Sequence, residues 1–451
     1  MKKSFFLPLT ALLLILCSLL VSCGGSSNPK NPASPDTTNP DLGNENVAPP
    51  ADDLTIPAIY INTENGVAVP DTKEAVNCKV NLVSSEQSYC AENLTATVRT
   101  RGNGTMYIGG KTGKYPYKLK FEDKINPFGT GDGKEKDWVL LASVGEHTML
   151  RNYAAKYMGD LLDGIPYSPN TKPVNVFLNG KYIGIYELTE QMEAKSNRVD
   201  VNDNLKGDVN GFLVELDAYA GRTETENSFL VNENYFSVKS NVFSEKQLQY
   251  IQNYIASVDS AIYQGDQNAL AELVDIDSLV DMYILQEYVK NIDVGFSSFY
   301  MYKDVSGKMY FAPPWDFDLG FGNDKRLDNG SYEGLYVGQG RDGFVQNSKW
   351  YIALMDQQWF YELVCQRWAE VSETVIPQVI DAVKAEAERL APVMEYNYKR
   401  WLFMGRFMHQ EPDAIVALKT YKEHTDYLIK WMEDRKAWLD NEFQKPFSYQ
   451  T

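Results

Sequence analysis

The chain changes its periodicity once, and that change bounds the folds open to it. Over residues 56–190 the apolar positions tend to alternate, most strictly where Tyr115, Tyr117, Leu119 and Phe121 project to one side and Lys118 and Lys120 to the other. Residues 58–61 and 95–101 read as further strands. Residues 174–178 and 181–186 flank Asn179-Gly180 and predict a hairpin, because Asn-Gly suits a type I′ turn. One helix, over 148–162, interrupts the strands. Beyond about residue 200 the spacing turns helical, over 244–263, 278–290, 351–370, 375–396 and 414–443. A second hairpin sits among these helices, with 299–303 as one strand, 304–307 as the turn and 308–312 returning. A strand-rich part followed by a helix-rich part predicts an α+β body of two lobes, over 54–200 and 201–445.

The N-terminus predicts export. Lys2 and Lys3 precede the apolar run Phe5 to Val21, the layout of a secretory signal over residues 1–22. The run ends in Leu20-Val21-Ser22-Cys23, which resembles a bacterial lipobox in which Cys23 carries the lipid. A plain signal peptide with a chance cysteine, or an uncleaved membrane helix, are the other readings. The run contains Pro8 and falls short of the about 20 apolar residues that a span needs. Residues 23–53, rich in Gly, Ser, Asn, Pro and Asp, predict a flexible tether. The expected location is therefore the bacterial outer membrane or cell surface, with the lipid anchor as the only membrane contact.

Composition narrows the partners. Hydrophobic residues at 44% and charged residues at 23% support a packed core, and a net charge of −18 without a basic run disfavours nucleic acid. Outside the leader and Cys23 the cysteines are Cys78, Cys90 and Cys365. In an exported chain the close pair Cys78 and Cys90 predicts a disulfide, leaving Cys365 as a lone buried thiol. Metal binding is the poorer reading, since no CxxC is present. His147, His409 and His424 are scattered, which argues against a triad or a His-rich metal site.

The second hairpin carries the chemistry. Asp293 precedes its first strand, while Asp316 and Asp318 follow its second, so antiparallel pairing brings the three carboxylates to one end. Convergent carboxylates repel unless a cation lies between them, and oxygen ligands suit Mg²⁺. Protein kinases place a catalytic Asp, a hairpin and a metal-binding Asp in this order.

The chain resembles the CotH kinase family, atypical protein kinases, over nearly all of 56–443. The resemblance rests on Arg101-Gly102-Asn103-Gly104-Thr105, Tyr117-Lys118-Leu119-Lys120-Phe121, Trp138-Val139-Leu140-Leu141, Met149-Leu150-Arg151-Asn152, Gly184-Ile185-Tyr186 through Glu190, and Pro314-Trp315-Asp316-Phe317-Asp318. It implies a bilobal kinase-like fold using ATP with Mg²⁺ or Mn²⁺ to phosphorylate Ser or Thr on an envelope or surface protein. Asp293 would orient or deprotonate the acceptor hydroxyl. Asp316 would hold the metal, with Asp318 sharing that role. Lys118, or Lys120 on the same strand face, would contact phosphate, with Glu190 as the lysine's partner. Arg101 and the Gly102-Asn103-Gly104 turn would approach the phosphates.

One departure is Ser298, which stands where kinase catalytic loops carry a metal-binding Asn. It raises the alternative of a catalytically inactive surface-binding or adhesion protein that keeps the fold. The same residues also admit plainer roles. Gly-Asn-Gly is ordinary turn chemistry, Lys118 and Lys120 could be a solvated strand face, and Trp315 and Phe317 could bury at a strand end.

Overall fold

The computed structural model describes residues 43–131, 133–221 and 227–448. The leader, Cys23 and most of the expected tether lie outside the described residues. Residues 43–53, expected in the tether, already bond to the body: Asn44 N donates to Arg400 O at 2.7 Å and Lys181 pairs with Glu45 at 2.6 Å.

The strand-rich part runs β1 (Ala58–Thr63), β2 (Val76–Val83), β3 (Ala91–Thr100), α1 (Gly104–Thr112), β4 (Tyr117–Ile125), β5 (Glu135–Leu141), α2 (Arg151–Leu161), β6 (Thr171–Leu178) and β7 (Lys181–Glu190). Its strands close into a barrel in the order β1-β2-β3-β4-β5-β7-β6, with β1 and β6 pairing in parallel. Alternation explains the closure. Ile59, Ile61, Val80, Val98, Tyr117, Leu119, Phe121, Trp138, Leu140, Val176 and Leu188 share one buried cluster, and a closed barrel gives it no open edge. The β6–β7 turn is as expected, with Asn179 and Gly180 at φ 50° and 78° and Leu178 opposite Lys181.

The second part adds β8 (Phe212–Leu216), β9 (Ser228–Val231), β10 (Asn234–Val238), α3 (Glu245–Gln264), α4 (Gln267–Leu273), α5 (Ile276–Val289), β11 (Phe299–Lys303), α6 (Lys349–Met355), α7 (Gln358–Arg400), α8 (Asp413–Val416) and α9 (Tyr421–Glu442). The α+β class stands, with the helices concentrated here. The sheet β11-β8-β10-β9 is an addition to the expected pattern. The regions expected as helices over 351–370 and 375–396 form most of one continuous α7 through Pro377 and Pro392. Val364, Trp368, Val371, Val375, Val379, Val383 and Leu390 form its buried stripe, and that packing outweighs the lost amides. At its end Asn397 Oδ1 accepts from Ile185 N at 3.0 Å, and Trp401 enters the barrel core, so α7 ties the two parts together.

Two expectations are corrected. The second hairpin's return strand reduces to a single bridge, Tyr302 to Tyr310, while β11 pairs along its length with β8 on its other edge. The backbone of Met309 is meanwhile held by Leu273 and Asp275. The Cys78–Cys90 disulfide is absent, and both thiols are free. Cys78 lies inside the barrel opposite Ala96, whereas Cys90 precedes Ala91, which pairs near the far end of β2. At about 3.3 Å per residue the two are roughly 15–20 Å apart, beyond any disulfide's reach.

Candidate active site

Between the barrel and the helical part lies a cleft of about 440 Å³ that gathers Arg101, Gly102, Asn103, Gly104, Lys118, Asp293, Ser298, Asp316 and Asp318. These residues come from between 101 and 318, so the fold is what brings the barrel's share to the acids.

The barrel side is cationic. β3 delivers Arg99, and Arg101 follows directly after the strand, beside Lys73. Gly102 turns the chain at φ 94°, where a Cβ would come within 2.1 Å of Thr105 Oγ1. The Gly102-Asn103-Gly104 turn thus opens α1, a helix absent from the sequence expectation. Asn103 makes no side-chain cap, and its Oδ1 accepts from Lys73 Nζ at 3.2 Å. The first turn of α1 borders the cleft at Gly104 and Thr105 with the positive end of the helix dipole. Lys118 also lines the cleft, paired with Asp137 Oδ1 on β5 at 2.8 Å.

The opposite side is acidic. α5 ends in left-handed Lys290, whose ammonium donates to Ser331 O at 2.9 Å, and the following turn places Asp293, whose carbonyl accepts from Phe296 N at 2.8 Å. Burial, opposed by Arg326 and assisted by Asp316 and Asp324, pushes the Asp293 carboxyl up to about 7. Asp316 holds a left-handed backbone, φ 70°, and its Oδ2 accepts from Ser298 Oγ at 3.1 Å. Trp315 and Phe317 are buried while Asp316 and Asp318 border the cleft, so the core role and the site role hold together. Burial, then Asp316 and Asp293, hold the Asp318 carboxyl well above its usual range. The acids share one cleft without closing on a point. Among the described residues no three His, Cys, Asp or Glu side chains are grouped to hold a metal ion.

Two expected residues stand elsewhere. Lys120 lies on the outer face of β4 with Lys118 but further along the strand, exposed, opposite Thr97 and Asp137. Glu190 is buried under the barrel, where it pairs with Arg198 and accepts from Asn170 N at 2.8 Å, so the Lys118–Glu190 pair is not formed. The buried lysine near the acids is Lys156 of α2. Its ammonium donates to Thr189 Oγ1 at 2.9 Å and lies 4.5 Å from the Trp315 ring centre. Burial, opposed by Glu187, Glu190 and Asp316, lowers it to about 8.

The cleft also contains residues that sequence reasoning passed over. Glu215 of β8 accepts from Ser298 N at 2.9 Å and from Lys239 Nζ at 2.7 Å, and Asp217 lies beside it. An acid within the fully buried strand Phe-Leu-Val-Glu-Leu was the available signal. His409 borders the cleft too, whereas His147 and His424 are buried against each other with ring centres 4.7 Å apart.

A profile for CotH kinase protein matches residues 98–439, the span that contributes almost every side chain of this cleft. The chain belongs to the CotH kinase family. No curated protein matches it. The family carries with it a kinase-like domain and, in general terms, the use of nucleotide and metal. The cleft suits such a ligand: Lys73, Arg99, Arg101 and the start of α1 on one side complement phosphate charge. Asp293, Asp316 and Asp318 on the other leave an acidic excess that a divalent cation would relieve.

Proposed function

We propose that the chain is an atypical protein kinase that transfers phosphate from a Mg²⁺- or Mn²⁺-bound nucleotide, ATP, to a Ser or Thr hydroxyl of an envelope or surface protein. The barrel and the helical part act as the two lobes of a kinase-like fold. The observation that carries the reading is the division of one cleft into a cationic barrel side and an acidic helical side. Asp316 and Asp318 would hold the metal, which supplies charge neutralisation along the phosphates. Arg101, Arg99 and the first-turn amides of α1 orient the phosphates. Lys118 reaches the same space but shares its charge with Asp137.

Asp293 is the acceptor-side residue. A carboxyl raised to about 7 is matched to taking a proton from a hydroxyl near neutral pH, and its place at the turn after α5 keeps it across the cleft from the phosphate-binding wall. Ser298 would serve as a weak outer ligand through its hydroxyl on Asp316. Incorporation of labelled γ-phosphate into the chain itself or into envelope proteins tests the reading. Label from the wild type and none from Asp293→Ala supports it, and equal label from both refutes the assigned role.

A second reading, a binding protein without turnover, draws on Ser298 in place of the loop Asn and on the acids not being grouped at ligating distances. Nucleotide binding without transfer would select it. We further propose anchoring through Cys23, with residues 1–22 removed as a signal. The support is the lipobox-like Leu20-Val21-Ser22-Cys23. Among the described residues no helix is long and apolar enough to cross a membrane. Fatty-acid labelling that survives Cys23→Ser would overturn the anchor.

A further inference from the structure

The loop that carries Asp316 and Asp318 is fastened along its length by one face of α2. Gly159 packs so tightly on Pro314 that a Cβ there would come within 2.7 Å of its ring. Lys156 lies against the Trp315 ring. Asn152 Oδ1 accepts from Phe317 N at 2.8 Å, and Arg151 Nε donates to Gly320 O at 3.1 Å. Successive turns of one helix therefore hold residues 314, 315, 317 and 320.

Asn152 is the member of this set closest to the chemistry. It is 2% exposed, it lines the cleft, and the amide it holds belongs to the residue between the two carboxylates. Glu187 of β7, which accepts from Ser143 Oγ, stands near its other end. The amide oxygen of Asn152 is the acceptor that the buried Phe317 N–H needs, and an aliphatic side chain there would leave that N–H unpaired. Asp316 meanwhile occupies a left-handed backbone, φ 70°, less favourable for a residue with a Cβ than the extended one. The bond to the very next amide is a restraint on it.

We infer that Asn152 is a positioning residue for metal binding: by holding the Phe317 amide it fixes the directions in which Asp316 and Asp318 project into the cleft. This rests on the reading of those two carboxylates as metal ligands. Groups that orient a metal's ligands typically change metal affinity or activity by about 10- to 100-fold when removed. Releasing the Phe317 amide lets Asp316 relax to an extended backbone and carries its carboxylate off the cleft.

The test is a titration of the purified full chain with Mg²⁺ at fixed ATP, read as the rise in melting temperature, for wild type, Asn152→Ala, Asn152→Asp and Val379→Ala. Val379 is a core residue of α7, and its truncation destabilises the fold without removing any of the hydrogen bonds that hold the loop. Asn152→Ala is expected to raise the half-saturating Mg²⁺ about 10- to 100-fold. Asn152→Asp keeps the acceptor for the Phe317 amide and should show a clearly smaller increase, whereas Val379→Ala should lower the melting temperature and keep the wild-type Mg²⁺ dependence. If Asn152→Ala does not fold, the Asp and Val379 variants carry the comparison. An Asn152→Asp protein whose half-saturating Mg²⁺ rises by less than about tenfold is then expected, and one that keeps the wild-type value or loses Mg²⁺ dependence altogether overturns the inference. Wild-type Mg²⁺ dependence in Asn152→Ala, or the same change in Val379→Ala, also overturns it. A wild-type chain with no Mg²⁺-dependent ATP stabilisation defeats instead the kinase reading beneath it.

Discussion

Ser298 Oγ donates to Asp316 Oδ2 across 3.1 Å, and both residues hold left-handed backbone at φ 62° and 70°. That conformation is one Asn adopts more readily than Ser. The backbone at position 298 would therefore accommodate an Asn. Ser298→Asn should lower the Mg²⁺ needed for half-maximal ATP binding by about threefold, since the carbonyl of an amide is a better hard ligand than a hydroxyl. It should keep the melting temperature, with Ser298→Ala shifting the Mg²⁺ requirement the other way. Weaker Mg²⁺ binding by Ser298→Asn would contradict this.

Asp293 couples the site to stability. Its carboxyl titrates near 3.9 when unfolded and at about 7 when folded, chiefly through burial. The folded chain therefore binds this proton more tightly, so the group's contribution is full below about pH 4 and is lost as the pH rises through about 7. In the metal-free protein Asp293→Asn should stabilise the fold by on the order of 2–4 kcal/mol at about pH 8, and by less at about pH 5. Denaturant unfolding at both values checks the sign. An equal effect at the two values would place the carboxyl outside its buried setting.

Arg101 and Lys118, both on the barrel wall, should differ. Lys118 already has Asp137 at 2.8 Å, whereas Arg101 lines the cleft with Asp316, Tyr300 and Glu215, whose charges act on it. Arg101→Ala should weaken ATP binding by at least about tenfold, roughly 1.4 kcal/mol, and Lys118→Ala by about two- to threefold. Calorimetric titration decides, and a larger loss for Lys118→Ala would reverse the assignment.

Cys78 and Cys90 should both alkylate without reductant, unlike a disulfide. Cys78 should wait for unfolding, because it is buried in the barrel and burial pushes its thiol up to about 11. Mass spectrometry of the native and unfolded protein separates the two rates. Protection of both until reductant is added would restore the disulfide.

How far the sequence reaches depends on what each signal measures. Alternation in β4 places Lys118 and Lys120 on the same face but says nothing of height along the strand, so only the structure separates the cleft lysine from the exposed one. Asp293, Asp316 and Asp318 were legible because chain reversal between them is a local property. Glu190 pairs with Arg198, a contact that no local pattern announces. Helix α1 was hidden by Gly104, Gly109 and Gly110, which lower helix propensity, and β8 by being buried on both faces, which erases alternation. Asn152 left no periodic trace, since its role depends on a partner brought up by the 314–320 loop, remote in sequence.

The central claim is that one cleft binds nucleotide through phosphate on its cationic side and through a divalent metal on Asp316. Its most direct test is the melting temperature of the wild-type chain and of Asp316→Ala with ATP, with and without Mg²⁺. Saturating ligand at about 100 times its dissociation constant stabilises a fold by about 2.7 kcal/mol. The account predicts a clear Mg²⁺-dependent rise in the wild type and none in Asp316→Ala, with the two proteins melting within a few degrees of each other when no ligand is present. A wild-type chain that gains nothing from Mg²⁺ and ATP together, or an Asp316→Ala variant that gains as much, would contradict it.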